Sequence, residues 1–98
     1  MGKKILYFIT DEDKTGIELA IENDKDEITI CLLQNAVYFA NKTGKEIEEA
    51  LNKNKIVIAC KDDVEIRGLK NLIFKNIKLL DYGEIIEEII SNESIINF

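Results

Sequence analysis

The chain has 98 residues, of which 46% are hydrophobic and 33% charged, and its formal net charge is −6. This is enough for one core and too little for two, so residues 1–98 are expected to form a single domain; the composition is not that of a disordered chain. The acidic balance leaves no basic stripe for a phosphate backbone, so strong direct binding to RNA or DNA is not expected.

No apolar run approaches the ~20 residues of a membrane span. The opening "MGKKILYFIT" is too short for a signal peptide and runs directly into acidic "DED". Gly2 is present, but Leu6 stands where a myristoylation signal has Ser or Thr. Two cysteines, Cys31 and Cys60, do not make a disulfide framework, which points to the cytoplasm. The absence of histidine removes Ser-His and Cys-His dyads and every histidine metal site. No metal site and no cofactor are expected.

In chain order, "KKILYFIT" reads as a first strand. "TGIELAIEND" follows, with Thr15 and Glu18 at capping-box spacing and Ile17, Ala20 and Ile21 on one helical face. After the polar turn "DKDE", "EITICLL" is a second strand, apolar on both faces. "QNAVYFANK" reads as helical. Thr43 and Glu46 form a second capping box opening "TGKEIEEALNKN", whose stripe is Ile47, Ala50 and Leu51. "KIVIAC" is the third strand, and "KDDVEIRGL" a short helix that Gly68 can end in the left-handed conformation. "NIKLLDY" is a shorter fourth strand. Asp81 and Glu84 repeat the capping spacing before an amphipathic helix carrying Tyr82, Ile85, Ile86, Ile89 and Ile90. The tail "SIINF" can add a short edge strand or dock on a partner.

This alternation, with near-continuous apolar strands, predicts an α/β fold: a three-layer α/β/α domain around a mostly parallel sheet of four to five strands. In such open sheets ligand chemistry sits beyond the C-terminal ends of the strands. That rule selects Thr10 and Asp11, Gln34 and Asn35, Cys60 to Asp62, and Asp81.

Cys60 ends a strand just before a helix. The helix start and Lys61 favour a thiolate, while Asp62 and Asp63 oppose it; the plain alternative is a small apolar residue closing a buried strand. Cys31, in mid-strand, reads as core. Gln34 and Asn35 have amides that can bind a ligand or span a subunit contact, and Asn35 can equally cap the following helix. Arg67 can pair with Asp63 on an exposed face, worth only ~0.3–0.5 kcal/mol, or hold an anion near Cys60. Tyr38 and Phe39 fit a core or a dimer interface. The acidic clusters lack the spacing of an EF-hand loop, and "TGK" at 43–45 lacks that of a P-loop.

Three segments in order, "CLLQNAVYFA" (31–40), "KIVIACKDDVEIRGL" (55–69) and "IKLLDYGEIIEEI" (77–89), resemble the DsrE/DsrF/DsrH-like proteins, and among them the DsrH branch, also called TusB. The matching features are Leu33 to Val37, Val57 to Gly68 with its Arg-Gly pair, and Asp81-Tyr82. The resemblance implies a small α/β/α domain that forms homo-oligomers, or hetero-oligomers with DsrE- and DsrF-like (TusD- and TusC-like) paralogues. It implies work in sulfur relay, in which persulfide sulfur passes between cysteines from donor to acceptor proteins. The end uses are 2-thiouridine at the tRNA wobble position or related sulfur metabolism. Carrier members place their active cysteine eight residues before the Gly of the Arg-Gly pair, and Cys60 lies eight before Gly68. DsrH-type chains commonly have an aliphatic residue there, and the alanine-rich helix of the carriers is replaced here by "KDDVEI". Cys60 is therefore the candidate persulfide carrier, with Gln34, Asn35, Lys61, Arg67 and Asp81 as candidate rim residues.

Two roles follow. A carrier must present the Cys60 thiol at an open rim; a non-catalytic assembly subunit would keep it buried and inert. A small-ligand module built on Gln34 and Asn35 is a third reading.

Overall fold

A computed structural model describes residues 2–98. Ten elements alternate along the chain: β1 (Lys4–Ile9), α1 (Thr15–Glu22), β2 (Glu27–Leu32), a 3-10 helix (Gln34–Ala40), α2 (Lys45–Asn52), β3 (Ile56–Cys60), α3 (Lys61–Ile66), β4 (Lys78–Leu80), α4 (Tyr82–Ser91) and β5 (Ser94–Asn97). The five strands form one sheet in the order β4-β3-β2-β1-β5, with every pairing parallel. The expected α/β/α architecture is thus present, with five strands and no antiparallel member.

Topology decides which face each helix covers. From β1 through β4 the chain steps across the sheet in one direction; from β4 it returns to the far edge, beside β1. Parallel crossovers are right-handed, so reversing direction moves the connecting helix to the opposite face. The packing follows this rule. Ile5, Tyr7 and Ile9, Ile28, Ile30 and Leu32, and Val57 and Ala59 pack with Ile17, Ile47, Val37 and Val64 from the connections before β4. The alternate residues Leu6, Cys31, Leu33, Ile58 and Cys60 face Ile85 and Ile89 of α4.

The local signals are partly redistributed. The capping box of Asp81 and Glu84 forms as expected, Asp81 Oδ1 accepting from Glu84 N at 2.8 Å and Glu84 Oε1 from Asp81 N at 3.1 Å. The boxes expected at Thr15 and Thr43 do not form, because both helices begin differently. The residue before α1 is Lys14, and Asp13 takes the Thr15 N–H and hydroxyl, at 2.9 and 2.6 Å. The residue before α2 is Gly44, and Thr43 donates to Asn41 instead. "QNAVYFA" winds as a 3-10 helix with no side-chain cap, so Asn35 is not its N-cap. Gly68 adopts φ +67° after α3, the left-handed conformation that glycine takes without a Cβ clash. The tail does form an edge strand, and Phe98 beyond it stacks on Tyr7 with ring centroids 6.2 Å apart. That ring lies so close to Gly16 that a Cβ there would come within 2.6 Å of it.

The stripe on α4 is only half used. Ile85 is buried and Ile89 partly so, while Ile86 and Ile90 are 56% and 77% exposed. A single helix has nothing on its far side to cover them. No helix among the described residues is long and apolar enough to cross a membrane.

Candidate functional site at the fork between β3 and β4

The connections after β3 and β4 leave toward opposite faces, α3 to one and α4 to the other. Adjacent parallel strands whose connections diverge in this way open a crevice at their C-terminal ends, the usual ligand position of an open α/β sheet. Cys60 and Leu80 are register partners at this fork, and Tyr82 begins α4 two residues later.

Asp63 organises the fork. Its side chain is nearly buried, and from the first turn of α3 it meets two other elements, the 3-10 helix and α4, and Arg67 at the end of its own helix. Oδ2 accepts from the backbone N–H of Gln34 at 2.8 Å. Oδ1 accepts from the Tyr82 hydroxyl at 3.4 Å and lies 3.6 Å from Arg67 Nη1. Arg67 also donates to the Asp63 carbonyl at 3.2 Å and through Nη2 to the Asn35 amide oxygen at 3.0 Å. Its guanidinium lies 5.9 Å from the centroid of the exposed Tyr38 ring. The Arg67–Asp63 pair therefore forms, but on a largely buried surface and not on the exposed face expected. Removing one partner of such a pair costs far more than at a solvated surface. Gln34 adopts φ +52°, strained for a residue with a Cβ, and the bond from its N–H to Asp63 holds it there.

Cys60 lies inside this arrangement. Its residue is fully buried, packed with Leu6, Leu33, Ile58 and Ile85, and touched by the half-exposed Tyr82 phenol. Burial is the largest influence on the thiol and raises its pKa. The backbone N–H of Asp63 and the Tyr82 phenol work the other way, and the Asp63 carboxylate raises it further; the net shift is upward. The thiolate gained at the strand end is thus outweighed by loss of water. Cys31 sits on the same face in mid-strand, as expected, and burial pushes its thiol up to about 12. Tyr82 is also raised to about 12, chiefly by its contact with Cys60.

Of the expected site residues, the candidate carrier Cys60 and the rim residues Gln34, Asn35 and Arg67 converge on Asp63. Lys61 is exposed at the start of α3 and makes no ion pair among the described residues. Asp81 caps its own helix. Sequence reasoning assigned no place at the site to Tyr82 and treated Asp63 only as a partner for Arg67 and a charge opposing the Cys60 thiolate. Their signals are positional: Asp63 lies three residues after Cys60, and Tyr82 follows an N-cap at the end of the neighbouring strand. No cluster of His, Cys, Asp and Glu able to hold a metal occurs among the described residues.

A family model of DsrH like proteins matches residues 7–95. The chain belongs to the DsrH-like family. No curated protein matches it. Solved structures with the same fold include the YchN protein of E. coli, with a TM-score of 0.84 and 17% identity, covering 98% of this chain and 99% of that one. A protein of unknown function from Bacteroides thetaiotaomicron, BT1422, has a TM-score of 0.79 and 24% identity over 97% of this chain and 95% of its own. MTH1491 from Methanobacterium thermoautotrophicum, also described as of unknown function, has a TM-score of 0.79 and 13% identity over 98% and 99%. At these identities the likeness speaks for the fold alone.

Proposed function

We propose that this DsrH-like chain is a subunit of a sulfur-relay assembly, one that passes persulfide sulfur toward 2-thiouridine at the tRNA wobble position or into related sulfur metabolism. Family membership supports the pathway. The geometry at Cys60 supports the part played within it, that of a structural subunit in its resting state. It works beside further copies or DsrE- and DsrF-like paralogues, whose cysteines face donor and acceptor proteins. One observation carries this assignment: the Cys60 sulfur is enclosed. Persulfide transfer begins with attack by an accessible thiolate, which an enclosed thiol of raised pKa does not supply. The ligand-module reading is weakened because the Asn35 amide oxygen is already engaged by Arg67.

A second reading, a carrier that opens on docking, is favoured by Tyr82. The Tyr82 phenol, in the first turn of α4, touches Cys60 while keeping half its surface in water. Incubation with a cysteine desulfurase and cysteine separates the two. A structural subunit keeps its mass unchanged in both wild type and Tyr82→Ala. A gain of about 32 Da on wild type, absent in Cys60→Ser, would establish a carrier. A gain on Tyr82→Ala alone would mark the gated form.

A further inference from the structure

Two surfaces remain without partners in the chain. The first is the outer side of α4, where Ile86 and Ile90 stand exposed one turn apart with the exposed Glu87 beside them. The helix carries three carboxylates, Glu84, Glu87 and Glu88, and no cation. The second is a groove of about 340 Å³ at the β4 edge, with Ile73, Phe74, Ile77 and Leu79 in its floor and Lys42, Lys70 and Lys75 on its rim. From residue 66 to 78 the chain has four cations, Arg67, Lys70, Lys75 and Lys78, and no carboxylate, although the whole chain is acidic. None of the rim lysines has a salt-bridge partner among the described residues. The groove is also held in shape. An antiparallel bridge joins Asn41 to Ile73, Lys42 N donates to the Leu72 carbonyl at 2.8 Å, and Phe74 N donates to that of Ala40 at 3.1 Å.

We propose that copies of this chain join head to tail, with the outer side of α4 from one copy seated in the lysine-rimmed groove of the next. The inference rests on the reading above that the chain works in an assembly, and it names the surfaces. Apolar side chains meet an apolar floor, and Glu87 with its neighbours meets Lys42, Lys70 and Lys75. The competing arrangement, α4 packed on α4 about a two-fold axis, would set glutamate against glutamate, and like charges across an interface are repulsive. The two complementary surfaces are different parts of the molecule, so the contact is heterologous and closes into a ring when its rotation permits.

Light scattering after size exclusion, at low and high salt, tests this on the full chain. Wild type is expected to be oligomeric, and both Lys70→Glu/Lys75→Glu and Glu87→Lys are expected to raise the dissociation constant by about tenfold or more. All three changed side chains are exposed, and unfolding midpoints matching wild type confirm that the fold is intact. Mixing the two variants is the decisive arm, because reversed helix meets reversed groove and native helix meets native groove, which restores assembly. A monomeric wild type overturns the proposal. So does an oligomer indifferent to the groove reversal, or a groove that binds tRNA while the chain stays monomeric. The desulfurase assay on Cys60 reads the sulfur-relay role separately, so either idea can fail without the other.

Discussion

The two faces of the sheet are built to different standards. One is covered by α1, the 3-10 helix, α2 and α3, and its strand residues Ile9, Ile30, Leu32, Val57 and Ala59 are at most 1% exposed. The other is covered by α4 alone, and leaves Ile56 and Ile95 partly exposed at its margins and Ile86 and Ile90 on its outside. The cause is topological: three connections run one way across the sheet and only one runs back. The thick face holds most of the core, while the thin face carries both cysteines and the exposed apolar residues of α4.

The widest expected gap between the faces is in side-chain truncation. Ile30→Ala empties a fully buried site under the α1 and α2 layer and is expected to cost about 2–5 kcal/mol in urea unfolding. Ile86→Ala removes a side chain that is mostly in water and should change monomer stability by no more than about 0.5 kcal/mol. Equal losses at the two positions would mean that α4 is packed as tightly as the rest, and the division between faces would fail.

Asp63 ties the two faces at the fork, so its loss is expected to rank next. Asp63→Ala leaves the Gln34 N–H and the Arg67 guanidinium without their acceptor, and should cost about 2–3 kcal/mol. It also removes the restraint on Gln34 at φ +52°, so Gln34→Gly in the same background should recover part of the loss. No recovery would show that the strain at Gln34 is not set by Asp63.

How far the residues foretold this arrangement varies by element. Four strands and α4 were legible, because β-branched runs and a clean 3.6-residue stripe are local signals, and the fifth strand was one of two readings of the tail. Which face each helix covers was not, since it depends on strand order, and strand order is a long-range property. The partial exposure of the α4 stripe followed from that. The site was half legible: the strand-end rule located Cys60, Gln34 and Asn35, but not Tyr82, which meets Cys60 from a different strand end. Arg67 was recognised with the right partner and the wrong environment.

The thin face has a signature in alkali. Cys31 is held neutral because burial, aided by the nearby Cys60 and Glu88, raises its pKa from 9.0 to about 12. A raised folded-state pKa stabilises fully below the ordinary value, and that contribution is lost as pH climbs from about 9 toward 12. The loss is expected to run at up to about 1.4 kcal/mol per pH unit in urea titrations. Cys31→Ala starts from a lower stability, because it opens a small cavity, but should fall less steeply through the same window. Parallel slopes would mean that other groups dominate the alkaline limb and that the sulfur is better hydrated than its packing indicates.

The smallest effect separates three helix starts that look alike in the sequence. Thr15 and Glu18, Thr43 and Glu46, and Asp81 and Glu84 share one spacing, yet only the last pair closes reciprocally, at the start of the helix that covers the thin face alone. Asp81→Ala should therefore cost about 1 kcal/mol, the usual worth of an N-cap. Thr15→Ala should cost less, since Asp13 still accepts the backbone N–H at that helix start, and Thr43→Ala removes only a hydroxyl bond to Asn41. Because Tyr82 follows directly on Asp81, fraying of this first turn also loosens the phenol that touches Cys60. Asp81→Ala should then speed the reaction of Cys60 with a thiol reagent while leaving Cys31 protected in mid-strand, with both read by peptide mapping. Acceleration at both cysteines alike would mean that the helix opens as a unit, and that its first turn has no separate hold on the thiol.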